Sequence, residues 1–156
     1  MRTIAYLGST TGLDYERELL AEWGKRDIEL ACALADGMCE ELAATGTDGP
    51  VSVPVSGANL LGNASGVVLE RGSLDAASIA SHPNVSIIVI LDDENASVDV
   101  EAATRAGIWV AQASNRTILQ RFANLQGPTR STRRHALMDA LAGIAGERPM
   151  GRVNEL

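Results

Sequence analysis

The sequence predicts an α/β protein: a doubly wound, five-stranded parallel sheet in three layers (α/β/α), with a C-terminal helix packing back on the sheet. Three observations carry this. Short apolar runs alternate with amphipathic or Ala-rich stretches in the order β-α-β-α-β-α-β-α-β. Val85–Leu91, VSIIVIL, is a continuous run rich in β-branched residues, the pattern of a central parallel strand covered on both faces. The chain has 156 residues, 46% of them hydrophobic and 21% charged, which suits one soluble domain over 1–156.

Each element has its own signal. Thr3–Leu7 is a short apolar run stopped by Gly8, and reads as the first, buried strand. Asp14 is placed to cap a helix running through Trp23, with Tyr15, Leu19, Leu20 and Trp23 on one face. Ile28–Ala33 reads as the second strand and residues 36–45 as a short helix. Residues 46–65 are rich in Gly, Pro, Ser and Asn, and their apolar patch Val51–Val55 has no clear place. Gly66–Leu69 is the third strand, and a helix from Ser73 ends before His82-Pro83-Asn84. Val85–Leu91 is the fourth strand. A helix over Val98–Ala106 stops at Gly107, and Ile108–Ala111 is the fifth strand. A short helix follows near Ile118–Ala123. The last helix runs from about Ser131 to Ala145, with Leu137, Met138, Leu141 and Ile144 as its apolar stripe. Arg148-Pro149 ends the regular structure.

Composition excludes several classes. The net charge is -7, whereas a nucleic-acid binder needs a dense basic surface. The one basic cluster, Arg130, Arg133, Arg134 and His135, reads as decoration of a helix start. No apolar run approaches the roughly 20 residues of a membrane span, so no membrane partner is expected. Residues 1–30 carry no secretory signal. Cys32 and Cys39, seven apart in an apolar stretch, read as reduced core thiols, as expected of a cytoplasmic protein. Aromatic residues make up 3%, too few for stacking platforms.

In an open parallel sheet, ligands bind beyond the carboxyl ends of the strands. That edge carries Ser9-Thr10-Thr11-Gly12, Glu70-Arg71-Gly72-Ser73, Asp92-Asp93-Glu94-Asn95 and Gln112–Asn115. Asp92, Asp93 and Glu94 form the densest acidic group. Carboxylates held close at a strand end can share a proton, act as acid and base, or hold a hydrated cation. A solvated loop with an Asp capping the next helix is the plainer reading. Ser9, Thr10, Glu70, Arg71, Gly72, Ser73 and Asn95 are the ligand-binding candidates. His82 falls at the opposite, amino-terminal edge and reads as structural. No nucleotide-binding glycine loop and no catalytic triad can be assembled, so no cofactor or metal is expected.

Gly8-Ser9-Thr10-Thr11-Gly12 resembles the phosphate loop of flavodoxins, which would make the chain an FMN-binding electron carrier. The following Leu13-Asp14 departs from that pattern, because an acidic side chain opposes a phosphate. The aromatic loops that sandwich a flavin have no match either.

A second resemblance covers most of the chain. Leu13–Gly24 (LDYERELLAEWG), Val98–Val110 (VDVEAATRAGIWV) and Ala140–Asn154 (ALAGIAGERPMGRVN) resemble segments of the D-isomer-specific 2-hydroxyacid dehydrogenases. The middle stretch matches the family's "D-x-x-A-A-x-x-x-G-I-x-V" pattern, the last its "G-x-x-P-x-x-x-V-N" tail, and His82-Pro83-Asn84 the lead-in to the central strand. The resemblance implies the family's flavodoxin-like substrate domain, built from both ends of the chain. It also implies that residues 116–132 stand where the family inserts a complete NAD-binding Rossmann domain, with 133–156 as C-terminal helix and tail. The family's catalytic Arg, Glu and His lie on that insertion, so no residue here inherits their roles. The glycine-rich loop that holds the substrate carboxylate is replaced by Asp92-Asp93-Glu94-Asn95-Ala96-Ser97.

Hydride transfer by this chain alone is therefore not expected. The leading expectation is a repurposed small-molecule enzyme or binder of bacterial metabolism, using non-redox acid/base chemistry at the carboxyl ends of the strands. The alternative is a non-catalytic interaction or regulatory subunit. Loss of a domain exposes the surfaces it covered, around Ile118–Leu125 and the last helix, so a homodimer or a protein partner is expected.

Overall fold

The computed structural model describes residues 2–8, 16–33, 51–52, 62–92, 96–113 and 130–156. The helices expected over 36–45 and near Ile118–Ala123 lie outside these residues, as do Asp14, Tyr15 and Cys39.

The main sheet is parallel throughout. Its strands are β1 (Arg2–Leu7), β2 (Ile28–Ala33), β3 (Val51–Ser52), β4 (Ala64–Leu69), β6 (Ile87–Ile90) and β8 (Trp109–Gln112), in the order β3-β2-β1-β4-β6-β8. The five expected strands are all present, and their spatial order is the doubly wound, flavodoxin-like one. The unplaced patch supplies the sixth member, because Val51 and Ser52 pair with Leu30 and Ala31 at the edge. Two residues cannot show a two-residue period, so this strand left no readable pattern.

Between β1 and β4 the chain reverses its direction of winding, and that boundary is the switch point of the sheet. Both faces are covered. One face packs Ile4, Tyr6, Leu30, Val68, Ile87 and Val89 against α1 (Arg17–Lys25) and α4 (Arg130–Ile144), through Leu20, Trp23, Ala136, Leu137 and Ala140. The other packs Ala5, Val67, Leu69, Ile88 and Val110 against α2 (Ala76–Ala80) and α3 (Val100–Arg105), through Ile79, Ala102 and Ala103. The three-layer arrangement and the docked C-terminal helix are thus as expected.

The local differences have physical causes. Helix α2 begins at Ala76 rather than Ser73, because Asp75 is the better cap and accepts a hydrogen bond from the Ser78 amide at 2.8 Å. Asp99 likewise starts α3, accepting from the Ala102 amide at 2.9 Å. The residues ahead of these caps pair with each other, β5 (Gly72–Leu74) with β7 (Ala96–Val98), in a small parallel sheet. Gly72, at φ 99°, makes the turn into β5 that a side chain would hinder. On α4, Met138 lies off the buried stripe and is 48% exposed. Gly143 lets the helix settle on β6, since a Cβ there would stand 2.4 Å from Ile87 Cδ1.

Regular structure does not end at Arg148-Pro149. The tail runs antiparallel along β8, with the Gln112 amide donating to the Gly151 carbonyl (2.9 Å) and the Val153 amide to Val110 (2.8 Å). Asn154 continues this with its side chain. Its Oδ1 accepts from the Val110 amide at 2.8 Å, and its Nδ2 donates to Ile108 O and Thr104 Oγ1 at 2.9 Å each.

Candidate functional site

The sheet places the ends of β1 and β4 side by side at the switch point. The Leu7 carbonyl accepts from the Glu70 amide at 2.9 Å and from the Arg71 amide at 3.3 Å. This turn sends the Glu70 side chain across Gly8, where a Cβ would stand 2.5 Å from Glu70 Cβ and 2.6 Å from Oε2. Only glycine at position 8 leaves room for that carboxylate. Glu70 is 5% exposed.

Tyr6, fully buried two residues before Gly8, donates from its hydroxyl to Glu70 Oε2 at 2.7 Å. Arg133, from the first turns of α4 and 8% exposed, donates from Nε to the same hydroxyl at 3.4 Å. Burial, aided by the Glu70 charge, drives the Tyr6 hydroxyl far above the ordinary phenol range, while Arg133 pulls the other way. Tyr6 is therefore a fixed proton donor. A second charged contact ties the helices together next door: Arg134 Nη1 meets the fully buried Glu16 Oε2 at 3.1 Å.

The expected site residues divide as follows. Glu70 sits in the cluster, Arg71 next to it is exposed, and Gly72 and Ser73 belong to β5. Asp92 is 4% exposed at the end of β6, the neighbour of β4, and its carbonyl accepts from the Ala96 amide at 2.9 Å. It is thus a buried carboxylate rather than part of a solvated loop. Ser9, Thr10, Asp93, Glu94 and Asn95 lie outside the described residues. His82 is half-buried in the turn at the amino-terminal edge, as expected, over a void of about 10 Å³ that is no larger than one water. Among the described residues no group of three or more His, Cys, Asp and Glu side chains is arranged to hold a metal ion, and no helix is long and apolar enough to cross a membrane.

Sequence reasoning missed Tyr6 and Arg133. The sequence reads Arg133 as decoration of a helix start, yet it is buried. The signal was present, because residues 133, 137, 140 and 144 fall on one helical face. Tyr6 sits inside an apolar run, and a buried hydroxyl needs a partner.

A separate groove of about 350 Å³ lies between α4 and the tail, lined by Gln112, His135, Met138, Asp139 and Met150 among others. Asp139 there is structural. Its two oxygens accept from the Met150 and Gly151 amides at 3.0 and 3.1 Å.

No family model and no curated protein matches this chain. Solved structures similar to it include D-lactate dehydrogenase with NAD+ from Lactobacillus jensenii (14% identity, TM-score 0.49, covering 99% of this chain and 56% of that one). NAD-dependent formate dehydrogenase from Staphylococcus aureus is similar over 74% of this chain and 32% of its own (13% identity, TM-score 0.45). So is 3-phosphoglycerate dehydrogenase from Entamoeba histolytica, over 72% and 32% (18% identity, TM-score 0.45). All three are dehydrogenases, and this chain spans from about a third to just over half of their length.

Proposed function

We propose that this chain is a 2-hydroxyacid-dehydrogenase-like protein that acts without hydride transfer, as a small-molecule enzyme or binder using acid/base chemistry at the carboxyl ends of the strands. The single observation that carries this is the buried Glu70 carboxylate, held against Gly8 by the Tyr6 hydroxyl at the switch point. A carboxylate fixed in one orientation at the switch point is placed to contact a ligand bound beyond the strand ends. Arg133 supplies the nearby positive charge. Asp92 on the adjacent strand end is the second carboxylate of the reading, followed by Asp93 and Glu94. Ser9, Thr10, Arg71, Gly72, Ser73 and Asn95 then line the ligand. The relation to the dehydrogenases rests on the quoted sequence segments.

The test is a thermal-shift panel of small carboxylic, hydroxy and amino acids, with NADH alongside, on the wild type and Glu70→Gln. At least one acid should raise the wild-type melting temperature and fail to raise that of Glu70→Gln. A panel that shifts both proteins equally, or NADH-dependent reduction of a 2-keto acid by this chain alone, would overturn the reading.

A second reading has an observation of its own. Met138 (48% exposed), Met150 (94%), Val153 (48%) and Leu156 (54%) leave apolar surface uncovered, most of it around the α4–tail groove. Such surface fits the interaction-subunit alternative, as a homodimer or with a protein partner. Light scattering across concentration distinguishes it, since this reading requires a species heavier than the monomer.

A further inference from the structure

We propose that the Glu70–Tyr6–Arg133 cluster selects a small zwitterion of the amino-acid type, its ammonium group on Glu70 and its carboxylate on Arg133. The inference rests on the small-molecule reading above and deepens it by naming the ligand class.

Two opposite charges in the cluster are both buried yet not paired directly. Glu70 and Arg133 are 5% and 8% exposed, a situation that ordinarily drives a direct ion pair. Instead both reach the Tyr6 hydroxyl, at 2.7 and 3.4 Å, so Nε and Oε2 stand up to about 6 Å apart with the hydroxyl between them. Tyr6 has a single proton and gives it to Glu70, and its oxygen accepts from Arg133. The hydroxyl is therefore a spacer whose own capacity is largely used.

What remains unused is complementary. Glu70 Oε1 and Arg133 Nη1 and Nη2 make no hydrogen bond to a described residue. The site thus offers an acceptor with negative charge and a fork of donors with positive charge, a few ångströms apart. A simple anion placed on Arg133 would meet the Glu70 charge. A simple cation on Glu70 would meet Arg133. A ligand that is neutral overall but charge-separated satisfies both, with the carboxylate on the guanidinium fork and the ammonium on the carboxylate. Because the protein's two charges cancel, the recognition relies on their separation rather than on a net field.

Calorimetric titration of the full chain at pH 7 with glycine, β-alanine, acetate and methylammonium tests this. The better zwitterion should bind at least about tenfold more tightly than either single ion. In Glu70→Gln that preference over acetate should collapse, and in Arg133→Gln all three carboxylate-bearing probes should weaken together. Acetate binding the wild type as tightly as the zwitterions would overturn the zwitterion inference while leaving a small-molecule site at Glu70. Unchanged zwitterion affinity in a folded Glu70→Gln would overturn both the zwitterion inference and the site at Glu70. If none of the four probes binds, the inference fails, and if the thermal-shift panel is silent too, the small-molecule reading fails with it. The wild-type comparison of four ligands stands even if a variant does not fold.

Discussion

The Tyr6 hydroxyl donates a 2.7 Å hydrogen bond to Glu70 Oε2 across the boundary between β1 and β4, the one place in the sheet where the winding reverses. The contact joins a residue from a strand interior to the first residue past another strand. It explains why a hydroxyl is tolerated in the TIAYL run, and why Glu70 is buried at all. The native state keeps the Tyr6 proton, because burial and the Glu70 charge both raise its pKa.

That retention has a pH signature. The raised group contributes stability that is complete below the unfolded pKa of tyrosine, about 10, and is lost as pH rises above it. The loss attributable to Tyr6 should set in near pH 10 and steepen toward about 1.4 kcal/mol per pH unit above it. Urea unfolding at pH 9, 10 and 11 should show this growing loss in the wild type, and Tyr6→Phe should lack it. At neutral pH the same variant should lose about 1–3 kcal/mol, since Glu70 and Arg133 lose their bridging hydroxyl. Equal alkaline slopes in the two proteins would contradict the assignment.

Gly8→Ala tests the close approach of Glu70. The new methyl group would stand 2.5 Å from Glu70 Cβ, a contact that forces the side chain to move. We expect a loss of about 1–3 kcal/mol in denaturant unfolding, together with loss of any ligand-induced thermal shift.

Gly143→Ala makes the same argument away from the site. Its methyl would meet Ile87 at 2.4–2.7 Å, lifting α4 from β6. A comparable destabilisation of about 1–3 kcal/mol is expected. Ligand-induced shifts should persist in this variant, because Ile87 is at the start of β6, away from the carboxyl edge.

Asn154→Ala should open the tail. The substitution leaves the Val110 amide and the Ile108 carbonyl, both at the edge of β8, without their present partner. Leaving buried backbone groups unsatisfied costs about 1–3 kcal/mol each. Hydrogen exchange at the Val110 amide should accelerate more than at Val68 in the sheet centre.

Most of the fold was legible because it rests on long, repeated patterns. The VSIIVIL run announced β6, and the apolar spacing of Leu20 and Trp23 announced α1. What was not legible depends on pairing across distant segments. Val51–Ser52 becomes a strand only beside Leu30 and Ala31. Ser73 is drawn into β5 by Ala96–Val98 before Asp75 can start α2. The site divides in the same way. Topology pointed to the carboxyl edge and to Glu70 on it. It could not show that Arg133, 127 positions from Tyr6, reaches the Tyr6 hydroxyl, because a basic run at a helix start reads as surface until the helix is docked. Asp92 was expected on a polar loop, but its position at the end of β6 buries it.

Ligand is proposed to bind beside Glu70 at the switch point. The most direct test is a map of backbone amide shifts in isotopically labelled protein, titrated with the acid that most stabilises the wild type. Perturbations should centre on Leu7, Gly8, Glu70, Arg71 and Arg133 and be lost in Glu70→Gln. Perturbations gathered instead around Gln112, Met138 and Met150, and unaltered by that substitution, would contradict it.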